Sequence, residues 1–256
     1  MNDIKKYLDN KNRNIIFLDE IDSTNNYAKQ LARNGESSGT VIAAKTQTAG
    51  KGRLGRSFCS PSGTGIYMSI ILRPDYDMET VSLLTSCMSV AAARAIDKLY
   101  GTDIKIKWVN DLYLNGRKIC GILTESAVNS HGKADFAIIG IGINVKSVKQ
   151  FFPADLLNIA SSLEDETGKT FSLSEISAGV INELERILPT PERCDFMEEY
   201  RSRSCIIGRE VIITKADREK TAKAVGISDK AGLIVRYSDG TEEILTSGEA
   251  RIKPLY

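Results

Sequence analysis

The sequence predicts an α+β chain in two parts: a larger domain in which strands and helices are interspersed, and a small all-β domain after it. Helical periodicity recurs in several segments up to Ser202 and nowhere beyond. From Arg209 onward, short apolar runs follow at even spacing, with turns at Asp229-Lys230 and Asp239-Gly240, the texture of a small β-barrel. The texture changes at Ser202–Cys205, so the expected domains are residues 1–203 and 204–256.

Taken in order, Asn14–Leu18 reads as a short strand. Asp22-Ser23-Thr24-Asn25, a cluster of good N-cap residues, then opens a helix that carries Ala28 and Leu31 and stops near Gly35. Thr40–Lys45 reads as a buried strand. Ile66–Arg73 alternates and reads as another, and between them lies a glycine-rich segment no helix would tolerate. Leu84, Met88, Ala91, Ala95 and Leu99 recur at helical spacing and predict a helix over Glu79–Tyr100, ended by Gly101. Ile104–Trp108 is a strand. Leu112–Leu114 and Lys118–Glu125 pair around Asn115-Gly116, the strongest short hairpin signal, and Phe136–Val145 is a further apolar strand. Helices are expected around Phe151–Asp165, Leu173–Leu188 (opened by a capping box from Ser172 to Glu175) and Glu192–Ser202. Strands are expected at Arg209–Thr214, Lys220–Gly226, Gly232–Tyr237, Glu242–Ser247 and Arg251–Lys253.

The composition excludes several classes. A net charge of +1 over 256 residues gives no whole-protein attraction to nucleic acid or membranes. The five cysteines are odd in number, and none sits in a C-x-x-C pair, which argues against a zinc site or a disulfide framework and for a reducing cytoplasm. The N-terminus has no apolar signal region, and no apolar stretch reaches the length of a membrane helix.

Positive charge is local. Gly50-Lys51-Gly52-Arg53-Leu54-Gly55-Arg56 puts three cations and three glycines into seven residues, so its backbone can approach a phosphate that its side chains neutralise. The string matches a dinucleotide fingerprint, but Pro61, Gly63 and Gly65 lead into a strand where the fingerprint requires a helix. No Gly-Lys-Ser/Thr closes a Walker A loop, and no kinase catalytic motif follows. About sixty residues on, Lys107-Trp108-Val109-Asn110-Asp111 runs into the hairpin and brings Asp111 and Lys118 together. Strand alternation puts Lys118 with Cys120, Ile122 and Thr124 on one face and Ile119, Gly121 and Leu123 on the other. Lys118 alone reads either as a snorkelling lysine or as one held toward an anion, and Asn110-Asp111 alone could be a turn. Together these segments point to an enzyme that handles an acyl-phosphate anion.

These motifs resemble the biotin protein ligase family nearly end to end. Asp22-Ser23-Thr24-Asn25, Gln47-x-x-Gly50-Lys51-Gly52-Arg53-x-Gly55-Arg56, Lys107-Trp108-x-Asn110-Asp111, Lys118-x-x-Gly121 and Gly140-Ile-Gly-Ile-Asn144 stand in the family's order and spacing. Gly226-Ile-Ser-Asp-x-x-Gly232 and Gly248-Glu249 resemble its C-terminal SH3-like barrel. The resemblance implies a central mixed β-sheet with packed helices, like class II aminoacyl-tRNA synthetases. It implies activation of biotin by ATP to biotinyl-5'-AMP, then transfer to a lysine of a biotin carboxyl carrier domain. By position, Ser23, Thr24, Asn25 and Gln47 belong to biotin, with backbone at Gly50 and Gly121 closing its pocket. Arg53 would hold the carboxylate and the activated intermediate, and Lys118 would bridge that carboxylate and the α-phosphate. Lys51, Arg56, Phe58, Asn110 and Asn144 belong to ATP and the adenylate. Asp111 would organise either the metal–phosphate region or the incoming lysine, with Mg2+ carried by ATP.

Three positions depart from the family pattern: Val109 where proline is usual, Lys51 where arginine is frequent, and Phe58 where tryptophan is common. Only about a dozen residues precede the first strand, too few for the helix-turn-helix some members carry, so no DNA partner is expected. Homodimerisation is common in the family. The alternatives are a lipoate or other acyl-carrier ligase of the same fold, and a non-catalytic biotin- or adenylate-binding module.

Overall fold

The computed structural model describes residues 3–73, 77–188, 194–215 and 218–252. Strand β1 (Ile15–Ile21) leads into helix α1 (Thr24–Arg33), and β2 (Val41–Gln47) returns parallel to β1, with Ile15 opposite Val41 and Ile21 opposite Gln47. The glycine loop reverses the chain into β3 (Gly65–Leu72), antiparallel to β2. Helices α2 (Met78–Ser82) and α3 (Leu84–Tyr100) precede β4 (Lys105–Lys107), β5 (Asp111–Leu114), β6 (Arg117–Val128) and β7 (Ala134–Asn144). The spatial order β1-β2-β3-β7-β6-β5-β4 makes one mixed seven-stranded sheet. All of β3 is buried, and so is all of β7 except Asp135, which explains their nearly unbroken apolar sequences.

Helix α1 covers one face of the sheet, packing Ala28 and Ala32 on Ile42, Ile71 and Ile138. The other face lies under α3 and α6 (Leu173–Ile187), whose mutual contact is the largest between helices. Helix α7 (Phe196–Ser202) packs on α3. Residues 203–205 then run beside β4, with Ile106 donating to the Arg203 carbonyl and Cys205 to the Ile106 carbonyl. The C-terminal sheet is antiparallel in the order β11-β10-β9-β8-β12, from β8 (Glu210–Lys215), β9 (Arg218–Ile227), β10 (Leu233–Arg236), β11 (Glu242–Leu245) and β12 (Glu249–Ile252). This SH3-like sheet buries Val211, Ile213, Leu233, Val235 and Ala250.

The punctuation signals hold. Asn115 and Gly116 have φ of 50° and 80°, the two left-handed residues a tight hairpin needs. Gly101 ends α3 at φ 65°, and the Ser172 hydroxyl caps Glu175 N–H. Three expectations change. The helix over Glu79–Tyr100 is two helices meeting at Leu83. The helix over Phe151–Asp165 is two short ones, α4 (Ala154–Leu157) and α5 (Leu163–Thr167). Between them the backbone is spent on the sheet: Lys118 N–H donates to the Ile159 carbonyl and Ser161 N–H to the Lys118 carbonyl. The predicted termini Glu192 and Lys253 lie outside the described residues.

Lys118 also lies on a different face from the one alternation predicts. Leu112 pairs with Cys120 but Tyr113 with Lys118, so Ile119 is an extra residue, a β-bulge. The bulge breaks strict alternation and turns Lys118 to the face of Gly121, where a Cβ on Gly121 would stand 3.5 Å from Lys118 Nζ. Cys120 and Ile122 stay in the core.

Candidate active site

The cleft lies where the C-terminal ends of the parallel pair β1 and β2 meet the start of α1, the usual place for a ligand in an open sheet. Ser23 stands at the N-cap position of α1 but makes no side-chain cap bond; its buried side chain lines the cleft instead. Thr24 brings its backbone N–H (2.9 Å) and its hydroxyl oxygen (3.1 Å) to Gln47 Oε1. Gln47 Nε2 donates to Ser60 Oγ at 2.9 Å, and Ser60 donates on to the Phe58 carbonyl. The Gln47 amide is thereby held in one orientation.

Glycines pave the floor. Gly121 and Gly142 are register partners on β6 and β7, and the Phe58 ring lies on them. A Cβ on Gly142 would stand 2.5 Å from that ring, and one on Gly140 would overlap Asn25 Oδ1. The close approaches therefore require glycine. Met68, Leu123 and Ile141 add apolar lining.

The basic loop folds as a small ribbon over the cleft. Phe58 N–H donates to the Gly50 carbonyl and Gly52 N–H to the Arg56 carbonyl. The reversal falls at Leu54 and Gly55, both left-handed, with φ of 55° and 73°. A leucine held there is costly and exposed, a conformation that clusters at functional loops. This turn separates the two arginines. Arg53 donates to Asn110 Oδ1 at 3.1 Å and to the Gly248 carbonyl at 3.0 Å, while Arg56 grips both oxygens of Glu249. Burial pushes the Arg53 guanidinium below its ordinary value, opposed by the carboxylates of Asp111 and Glu249. The hydrogen bond from Arg56 holds Glu249 below the usual carboxylate range.

Lys118 Nζ stands 2.7 Å from Asp111 Oδ1. The Lys118 backbone is clamped between β5 and the strap at Ala160. Tyr200 hydroxyl, from α7, donates to the Val109 carbonyl at 2.9 Å and fixes the turn that carries Asn110 and Asp111. The Trp108–Val109 peptide is cis. Lys51 reaches Asn26 Oδ1 at 2.5 Å. The cleft is lined by five cations (Lys51, Arg53, Arg56, Lys107 and Lys118) and two carboxylates, Asp111 and Glu249, an excess of positive charge suited to an anionic substrate.

Of the expected site residues, Ser23, Thr24, Asn25, Gln47, Lys51, Arg53, Arg56, Phe58, Asn110, Asp111, Lys118 and Gly121 line one cleft. Gly50 and Asn144 do not. Gly50 packs against Phe58 O and Ser60 behind the loop. Asn144 is buried and donates to the Ser161 carbonyl at 2.9 Å, securing the strap behind Lys118. Sequence reasoning missed Ser69, fully buried in β3 beside Thr24 and Asn25, and Glu125, which meets Asn25 Nδ2 at 2.8 Å. A serine inside an apolar strand was the available signal for the first. It also missed that Gly248 and Glu249 of the C-terminal sheet complete the cleft wall.

Comparison with known proteins gives the family of the chain. Residues 17–144 match the biotin/lipoate A/B protein ligase family, and residues 206–251 match the biotin protein ligase C terminal domain. The chain belongs to the biotin/lipoate A/B protein ligase family. It is 34% identical over 243 residues to the bifunctional ligase/repressor BirA of Bacillus spizizenii, covering 92% of this chain and 73% of that protein. It is 29% identical to the biotin–[acetyl-CoA-carboxylase] ligase of Paracoccus denitrificans, over 89% of this chain and 96% of the relative. Among solved structures, the Aquifex aeolicus biotin protein ligase in complex with biotin and ATP superposes with a TM-score of 0.76 at 28% identity, covering 94% of this chain and 99% of that one. The ligase fold thus extends over both sheets.

Proposed function

We propose that this family member is an ATP-dependent biotin protein ligase. It joins the biotin carboxylate to the α-phosphorus of ATP with loss of pyrophosphate. A lysine amine of a biotin carboxyl carrier domain then attacks the biotinyl carbonyl, and AMP leaves. The observation that carries this reading is the single cleft joining a polar tier at Thr24 and Gln47 to a set of cations at Arg53, Arg56, Lys107 and Lys118. The first step brings a carboxylate against a triphosphate, so charge neutralisation and positioning are the main work and no protein nucleophile is needed. Lys118 would meet both reacting anions, and Arg53 would keep the mixed anhydride from leaving or meeting water.

We assign Mg2+ to the triphosphate, with Asp111 the acidic neighbour on that side. In this reading residues 1–203 are the catalytic domain and 204–256 the C-terminal domain. The enzyme works in the cytoplasm, and a second copy would pair along an edge strand of the larger sheet such as β1. No described helix is long and apolar enough to cross a membrane. The deciding experiment is ATP–pyrophosphate exchange. Exchange that requires biotin and is not supported by lipoate is expected; exchange with lipoate alone, or none with either, would overturn the reading.

A further inference from the structure

Behind the cleft, hydrogen-bond donors and acceptors can be counted. Asn25 is buried in the first turn of α1, and its Nδ2 faces the Leu123 carbonyl at 3.3 Å and Glu125 Oε2 at 2.8 Å. Both partners only accept, because Lys29, one turn along α1, pairs with the other Glu125 oxygen. Burial raises the Glu125 carboxyl, but the hydrogen bonds from Lys29 and Asn25 outweigh it and hold the group below its ordinary value. The Asn25 amide therefore cannot flip, and Oδ1 must face Ser69 Oγ, 2.6 Å away. Ser69 Oγ also lies 2.8 Å from Thr24 Oγ1, which in turn lies 3.1 Å from Gln47 Oε1.

Three contacts in this row need a proton, and the two hydroxyls supply only two. The Ser69 proton goes to the amide oxygen, which can only accept. Gln47 Oε1 is an acceptor too, but it already takes the Thr24 N–H, so the shorter 2.8 Å contact to Ser69 takes the Thr24 proton. The longest contact, between Thr24 Oγ1 and Gln47 Oε1, is left as two acceptors facing each other at the cleft. Gln47 cannot relieve this by turning over, because Oε1 accepts Thr24 N–H and Nε2 donates to Ser60.

We propose that Glu125 is a positioning residue for substrate selection: through Asn25 and Ser69 it sets Thr24 and Gln47 as a pair of acceptors that requires an N–H donor from the ligand. This rests on the reading of the cleft as a biotin site, and the donor is then a ureido N–H. A dithiolane ring has no N–H and would leave the facing lone pairs of Thr24 Oγ1 and Gln47 Oε1 without a ligand donor, which is costlier than a misfit of shape.

The test uses calorimetric binding of biotin and of its cyclic-carbamate isostere, in which an oxygen replaces one ureido N–H. The wild-type enzyme should prefer biotin by at least about tenfold. In Glu125→Gln, Lys29 draws the new amide oxygen and the amide nitrogen faces Asn25, so Asn25 turns over, giving up its longer 3.3 Å contact to the Leu123 carbonyl. The row of hydroxyls then reverses, so Thr24 donates. That variant should bind biotin about tenfold more weakly, lose the preference over the isostere and keep its KM for ATP. Combining Glu125→Gln with Lys29→Met frees the introduced amide to present its oxygen to Asn25 again and should restore the preference. Ser69→Ala, which breaks the row while sparing the Glu125 contact, should also reduce it. Thr24→Val tests the underlying reading: unchanged biotin affinity there would overturn the biotin site itself. If Thr24→Val weakens binding while Glu125→Gln and Ser69→Ala keep wild-type selectivity, the site stands and the role of Glu125 falls.

Discussion

Single atoms decide what Lys118 can do. Its ammonium is paired with Asp111 at 2.7 Å, and its backbone is clamped on both sides, so the cation is delivered to one place before any substrate arrives. Preorganised charge of this kind costs no rearrangement at the moment of reaction. Lys118→Ala should therefore reduce biotin-dependent pyrophosphate exchange by a factor on the order of 10²–10³ while leaving the far-ultraviolet circular dichroism unchanged. Exchange within a few-fold of wild type would remove Lys118 from the chemistry. The identity of this residue was legible in the sequence, but its direction was not. Alternation put it on the face of Cys120, and the bulge at Ile119 reverses that. A bulge belongs to the pairing of two strands, and no single strand's sequence carries it. The same limit hid Glu125, whose partners Asn25 and Lys29 lie about a hundred residues away.

Among the elements, β7 shows most clearly how a strand can be built for a site. Gly140 and Gly142 interrupt its apolar run, and the sequence showed the interruption but not the two side chains it admits. Gly140 admits Asn25 from α1, and Gly142 admits the ring of Phe58. Both glycines face the side of the sheet that carries α1 and the basic loop. A methyl group at Gly142 would meet the ring at 2.5 Å, so the ring and the loop strand that holds it must lift. Phe58 is the residue whose N–H ties the loop back to Gly50, so lifting it opens the ribbon carrying Arg53 and Arg56. Gly142→Ala is expected to cost about 1–3 kcal/mol of stability, as overpacking does. It should also make the 50–58 loop more susceptible to trypsin, which cleaves after its Lys and Arg, and weaken retention of biotinyl-adenylate. Loop cleavage at the wild-type rate would show that Phe58 repacks without moving the ribbon. Helix and strand identities were mostly legible because caps, left-handed glycines and the Asn-Gly turn act locally. The break between α4 and α5 was not, since its backbone is spent on β6.

Across the whole molecule, the change of texture near residue 203 marked a second architecture but not a second core. Ile213, Leu233, Val235 and Ala250 of the C-terminal sheet belong to the same buried cluster as Ile106 and Trp108. Three contacts near the cleft cross between the two sheets: Arg53 to the Gly248 carbonyl, Arg56 to Glu249, and Trp108 Nε1 to the Ala231 carbonyl at 2.8 Å. Burial ranks the last two. The Arg56 side chain is 66% exposed, so its ion pair is worth no more than about 1 kcal/mol. Trp108 is 4% exposed and Ala231 is 6% exposed, so losing this indole N–H leaves a buried carbonyl without its donor. Trp108→Phe should then cost about 1–3 kcal/mol in urea denaturation, and Arg56→Ala less than about 1 kcal/mol. Because the Trp108 turn continues into Asn110 and Asp111, and Ala231 belongs to the sheet that supplies Gly248 and Glu249, the same substitution should raise the KM for ATP. A Trp108→Phe enzyme with wild-type stability would mean that apolar packing alone seats the C-terminal sheet. If stability fell with the KM for ATP unchanged, docking of that sheet and completion of the cleft would be separate properties.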